Sequence, residues 1–217
     1  VLFGKALGLY SSNAILSEQT LFGVGATGVT AAGSQYSGST TLGRIGYGYD
    51  YADWRSQIRY TTPDMNGFKA AFAVMDAVET TGTGTTSEKD PRYEAQLTYA
   101  GAFDNGSYKL WLEGMTQEVE VLGTSIDSEA VGVGGQLTVA GFEFVGHYYD
   151  NEGVGAGGGL EQVLSLIPTS AVDLSGDERD GDGWFVQAGY RFAGTTLVSV
   201  SHGESTLDTT SGETSAT

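Results

Sequence analysis

Cysteine is missing from all 217 residues, which removes disulfide scaffolds, thiol nucleophiles and zinc–thiolate sites together. No apolar run reaches the ~18 residues that a membrane-spanning helix needs. Histidine occurs twice, at 147 and 202. His147, Asp150 and a serine could be drawn as a hydrolytic triad. However, neither a Gly-x-Ser-x-Gly elbow nor a His-Glu-x-x-His helix is present, so an enzyme is not expected. The glycines from 155 to 159 precede no helix start and read as loop, not as a phosphate cradle; no cofactor is expected. Basic residues are also few, 10 against 27 acids. They form no stripe interleaved with aromatics, which excludes nucleic acid as a partner.

What the chain does have is glycine (34), tyrosine (12) and phenylalanine (9), with only three prolines. That mixture points to many short strands joined by turns. The stretch Trp54–Ala77 organises the rest. Its breaker, Pro63-Asp64-Met65-Asn66-Gly67, reads as a hairpin turn. In the first arm Trp54, Ser56, Ile58, Tyr60 and Thr62 share one face, and Arg55, Gln57, Arg59 and Thr61 the other. In the second arm Phe68, Ala70, Phe72 and Val74 oppose Lys69, Ala71, Ala73 and Met75. One greasy face suits any half-buried sheet. Arginines and a lysine lining the other face suit a strand with lipid on one side and water on the other.

The rhythm continues along the chain. Strands are expected near 1–10, 54–62, 68–77, 91–101, 107–118, 129–139, 142–150, 183–192 and 195–203, about nine in all. Turns at 63–67, 104–106, 140–141 and 193–194 are short. Loops at 78–90, 118–128 and 151–182 are long, and Glu204 onward reads as a further polar loop. Short and long connections therefore segregate to opposite ends of the sheet, the asymmetry of an outer-membrane barrel. Aromatics gather at both ends: Tyr60, Phe68, Tyr99, Tyr108, Phe142 and Phe192 by the short turns, and Trp54, Tyr93, Tyr148 and Trp184 by the long loops. Two belts fit two membrane interfaces. A soluble all-β module could share the alternation but has little reason for aromatics at both rims.

Around the first hairpin the sequence resembles the general porins of Gram-negative outer membranes. The resemblance rests on Arg55, Ile58, Tyr60, Thr62-Pro63, Gly67 and Phe68, with Gln57 where the family usually has Asn and Thr62 where it usually has Ser. It implies an antiparallel transmembrane β-barrel of sixteen-stranded type, embedded in the bacterial outer membrane beside lipopolysaccharide and assembled as a homotrimer. Its activity would be passive diffusion of small hydrophilic solutes and ions. Residues 1–217 would form part of a single barrel, because Val1 begins inside a strand and no terminal aromatic is present. The glycine- and serine-rich stretch 11–53, with Ala14-Ile15-Leu16 as a helical turn, takes the place of the family's constriction loop. The usual Pro-Glu-Phe-Gly-Gly is replaced by Leu21-Phe22-Gly23-Val24-Gly25.

Arg55 and Arg59 would line the wall opposite that loop, with Lys69 on the next strand and Lys5 joining by resemblance. Glu18, Asp50 and Asp53 are the loop acids that could face them. A basic wall against acids across a narrow neck sets up a transverse field that sorts solutes by charge and size. In loop 151–182, Asp173, Asp177, Asp180 and Asp182 hint at calcium, although the spacing is not that of an EF-hand and a hydrated acidic loop is the simpler reading. The alternative function is a surface barrel acting as an adhesin or receptor through its acidic external loops.

Overall fold

A computed structural model of the chain describes residues 1–21, 43–77, 86–88, 90–121, 124–155, 171–172, 177–209 and 212–216. They form one antiparallel sheet and one short helix. The elements are β1 (Leu2–Leu7), α1 (Ser12–Ser17), β2 (Trp54–Thr61), β3 (Phe68–Met75), β4 (Thr86–Glu88), β5 (Arg92–Phe103), β6 (Gly106–Val121), β7 (Thr124–Val139), β8 (Phe142–Glu152), β9 (Asp180–Phe192), β10 (Thr196–Thr209) and β11 (Gly212–Ala216). Strand order follows chain order from β1 to β11, and β4 pairs with β6 alone. Among the described residues β1 and β11 are not paired, so the curved wall is open between them.

Nine of these strands are the nine expected from the alternation. The two additions are short. β4 occupies the edge of β6 just above β5, with Asp90-Pro91 between them, where proline cannot donate to a ladder. β11 pairs with the end of β10, in a stretch expected to be loop. The expected loop 118–128 is also corrected. β6 and β7 stay paired from Gly106↔Val139 to Val121↔Thr124, so a polar ribbon stands where a long loop was expected. Alternating valine, isoleucine and threonine favour strand as well as any membrane segment does, and acids in between do not interrupt the ladder. β1 is shorter than expected. It stops at Leu7 because the Gly8 amide turns inward to the carbonyls of Ala52 and Asp53, at 3.1 and 2.9 Å.

The short turns adopt the left-handed geometry that their residues predict. Asn66 and Gly67 have φ of 56° and 90°, and the Gly67 amide donates to Asp64 Oδ1 at 2.8 Å. Ala140-Gly141 uses the same geometry with φ of 51° and 86°.

One face of the sheet is bare. Ile58, Phe72, Leu97 and Val133 are 54, 50, 42 and 50 % exposed, whereas Arg55 on the opposite face is 8 % exposed. No described residue forms a second layer over the apolar face, so the wall is not half of a sandwich. Rings meet along the short-turn edge of this face: Tyr99 with Tyr108 at 5.6 Å, Phe142 with Tyr190 at 4.7 Å, and Tyr190 with Phe192 at 4.8 Å between centroids. That belt marks an interface, with apolar side chains above it and turns below.

The other face carries the packed core. Ala14 and Ile15 of α1, with Ile45, Tyr49 and Ala52, lie against Trp111, Val145 and Phe185 of the wall. The segment after β1 therefore folds into the concave side and lies on it.

Candidate functional site: the infolded segment and the cationic cleft

Three consecutive backbone amides begin the infolded segment, and two wall carboxylates receive them. Glu94 on β5 accepts from the amides of Leu9 and Tyr10, the second at 3.0 Å, and also pairs with Arg92 Nε at 2.6 Å. Glu113 on β6 accepts from the Ser11 amide at 2.8 Å and from Gln96 Nε2 at 3.2 Å. Both carboxylates are buried. Orphan amides at a chain reversal need acceptors, and charged ones make the stronger bonds. Further along, Arg44 reaches across to β10, where Nε donates to Ser201 Oγ at 2.8 Å and Nη2 to its carbonyl at 2.7 Å. The Gly48 amide donates to Ser205 Oγ at 2.9 Å. The segment is thus tied down at both ends of the concave face.

The loop acids serve this anchoring. Asp50 Oδ2 accepts from the Tyr10 hydroxyl at 2.8 Å and from Asn151 Nδ2 at 2.9 Å, while Oδ1 has no hydrogen-bond partner. Burial pushes its carboxyl up to about 6 against the pull of those two bonds and of Arg92. Burial likewise raises the hydroxyl of Tyr10, with the Asp50 charge adding to it. Glu18 accepts from Thr20 and, at 3.3 Å, from the hydroxyl of Tyr49. Burial, reinforced by the Glu18 charge, pushes that hydroxyl up.

Of the expected wall cations, Arg55 is covered by the segment. Nη2 pairs with Asp53 at 2.7 Å and Nη1 donates to the Asp76 carbonyl at 3.0 Å. Arg59 and Lys69 share the concave face and come together in an open cleft of ~350 Å³, with Asn13, Gln96 and Lys109 around them. Lys69 lies 3.4 Å from Asp64, both about half exposed, a pairing worth little in water. Lys109 Nζ donates to Asn13 Oδ1 of α1. Lys5 goes elsewhere. It stands opposite Ser56, two residues from Phe3 opposite Ile58, and so shares their exposed face, away from Arg55. Period-two alternation from Phe3 carries it there.

The arrangement expected from the alternation, wall bases facing loop acids, is therefore largely reversed. Wall acids hold loop amides, Asp53 alone of the loop acids pairs with a wall base, Arg55, and Asp50 and Glu18 are held by Tyr10 and Asn151 and by Thr20 and Tyr49. Lys109, Glu94 and Glu113 escaped notice as site residues. Their signal was an acid or base at an inward mid-strand position, which alone does not say what lies above it. Phe22 to Gly25 of the expected constriction motif, and Asp173, lie outside the described residues. Asp180 and Asp182 are two apart on the outward side of β9, and among the described residues no group of three or more acids or histidines is placed to hold a metal ion.

A sheet greasy outside and polar within carries short turns at one end, a belt of rings and an infolded segment, and the sequence matches the family model of Gram-negative porins over residues 1–217. The chain belongs to the Gram-negative porin family. Among solved structures it is similar to the outer membrane channel DcaP of Acinetobacter baumannii, with a TM-score of 0.61 and 15 % identity. That match covers 95 % of this chain and 53 % of the channel, so the porin chain spans about half of its neighbour's length. A search of curated protein sequences finds no match. As a porin, the chain is a bacterial outer-membrane β-barrel protein. In outer-membrane barrels short turns lie at the periplasmic end and longer loops at the external end.

Proposed function

We propose that this porin forms a water-filled path for passive diffusion of small hydrophilic solutes and ions, narrowed by the segment 11–53, in a homotrimeric assembly. The supporting observation is the cleft beside α1. Beside α1, Arg59, Lys69 and Lys109 line a cleft that is open among the described residues and lies on the concave face. Three cations on β2, β3 and β6, with a single weakly paired acid, attract anions and orient dipolar solutes as they pass. Arg59 and Lys69 keep the lining role. Arg55, Glu18, Asp50 and Asp53 act by holding the segment that sets the width.

Planar-bilayer recording of the full-length protein tests this. Discrete conductance steps are expected. In a salt gradient, Lys69→Glu with Lys109→Glu should move the reversal potential towards cation preference. A protein that inserts and stays electrically silent overturns the channel reading. Reversal potentials that ignore both substitutions place the solute path elsewhere.

The acidic external ribbons favour a second reading, a surface receptor. Glu129 and Glu152 stand directly opposite one another, a like-charge pair that costs stability and that a bound cation or a basic partner would relieve. Glu129→Gln with Glu152→Gln distinguishes the two: a channel keeps conducting, and a receptor loses its partner.

A further inference from the structure

One gap in the apolar outward face is floored by glycine on two strands. On neighbouring strands Gly135 and Gly146 are directly paired, within a cross-strand row that runs from Leu110 through the two glycines to Val186 and His202. The missing side chains leave a notch of ~700 Å³, walled mainly by Leu110, Leu137, Phe144, Val186 and Val200.

Glycine on the concave side of these strands has an internal reason. A Cβ at Gly134 would stand 2.4 Å from the Trp111 ring, and one at Gly132 would stand 3.0 Å from His147. Gly146 has no such reason, because a Cβ there meets nothing within 4 Å. At Gly135 the nearest atom is the tip of Leu110, which can move. Glycine in a strand interior weakens it and marks a close approach by something else. Nothing within the described chain makes that approach.

The position of the notch identifies the visitor. Along β8 the outward residues run Phe142, Phe144, Gly146, Tyr148, Asp150. Gly146 is therefore ~13 Å along the strand from the ring belt, and as far from the first outward acid, at hydrocarbon depth. The walls come from the row of the glycines and from the row next to the short turns, Tyr108, Leu137, Phe144, Ala188 and Val200. The row towards the long loops, Leu112, Val133, Tyr148 and Trp184, contributes nothing. The notch is continuous with the membrane-facing surface and lies in its periplasmic half, the leaflet of phospholipid. We propose that it seats one phospholipid acyl chain, packed on the bare backbone of Gly135 and Gly146. A flexible chain fills such an uneven floor and asks nothing of register, whereas a protein neighbour at this depth would need a knob of matching shape. This site rests on the membrane-embedded wall and not on the solute path.

The test is native mass spectrometry of the full-length porin, incubated with palmitoyl-oleoyl phosphatidylethanolamine and separately with lipopolysaccharide. Wild type should keep one phospholipid at collision energies that strip the others. Gly146→Leu, whose Cβ meets nothing within 4 Å and whose side chain points into the notch, should cut that occupancy at least fivefold, while Val133→Leu in the other half should leave it unchanged. The heat-modifiable shift on electrophoresis and single-channel conductance should stay at wild-type values in both variants, which separates failure of this site from failure of the channel. Equal phospholipid retention in Gly146→Leu overturns the proposal. So does retention of lipopolysaccharide instead of phospholipid, or disulfide-linked dimers from Gly146→Cys, which would put a second copy in the notch.

Discussion

Asp50 shows how a single residue ties this porin's infolded segment to pH. Its carboxyl is fully buried and has two donors, and burial still wins, raising it from an ordinary 3.8 to about 6. A carboxyl whose folded value lies above its unfolded value favours the fold when protonated. The seated segment therefore gains stability as pH falls through about 6 towards 4, and loses it as pH rises again. The full difference is of order 3 kcal/mol. Asp50→Asn keeps an acceptor for Tyr10 without the charge. We expect it to raise thermal stability at pH 7.5 and to flatten the wild-type slope between pH 4 and 6, read as the difference between the two melting curves. An unchanged slope would mean that Asp50 meets water. Glu94 gives the complementary case. Glu94→Ala strands two amides and Arg92, so a loss of about 3–5 kcal/mol is expected, together with noisier open-channel current as the start of the segment loosens.

At the scale of elements, the sequence revealed the membrane wall better than its extensions or the segment within it. Strands β2, β3, β5, β8 and β9 were legible because lipid on one side and water on the other impose a strict period of two, and Asn66-Gly67 or Ala140-Gly141 mark their ends. The β6–β7 ribbon was not. Once the hairpin leaves the membrane its outward face turns acidic, and Glu118, Glu120 and Asp127 read as loop although Val119 and Ile126 still pack inward and the ladder persists. The site was only half legible for a related reason. Alternation assigns Arg59 and Lys69 to the concave face, but whether that face meets water or the infolded segment depends on where α1 settles, and Ala14-Ile15-Leu16 says only that a helix turn forms. Turn chemistry makes its own prediction. Ala140 adopts φ of 51°, a region that costs alanine more than asparagine. Ala140→Asn should therefore stabilise the barrel by about 0.5–1 kcal/mol, visible as a higher urea midpoint with an unchanged slope.

The whole molecule is a wall between two solvents, and the absence of cysteine makes that directly measurable, since any introduced thiol reports without background. Leu97 and Thr98 are neighbours on β5 that face opposite ways, Leu97 42 % exposed on the apolar side and Thr98 lining the cationic cleft. In a bilayer Leu97→Cys should sit in hydrocarbon, where a thiol barely ionises and a charged reagent does not enter. Thr98→Cys should sit in water. A membrane-impermeant maleimide is therefore expected to label Thr98→Cys in proteoliposomes and to spare Leu97→Cys and Val133→Cys, with all three labelled after denaturation. A cationic thiosulfonate on Thr98→Cys should also change the single-channel current, because the new charge joins Arg59, Lys69 and Lys109 in the same cleft. Labelling with the reverse pattern would turn the wall inside out, putting the guanidinium groups against lipid at a cost of about 2–4 kcal/mol each at mid-membrane, a cost that no residue on the apolar face is placed to offset.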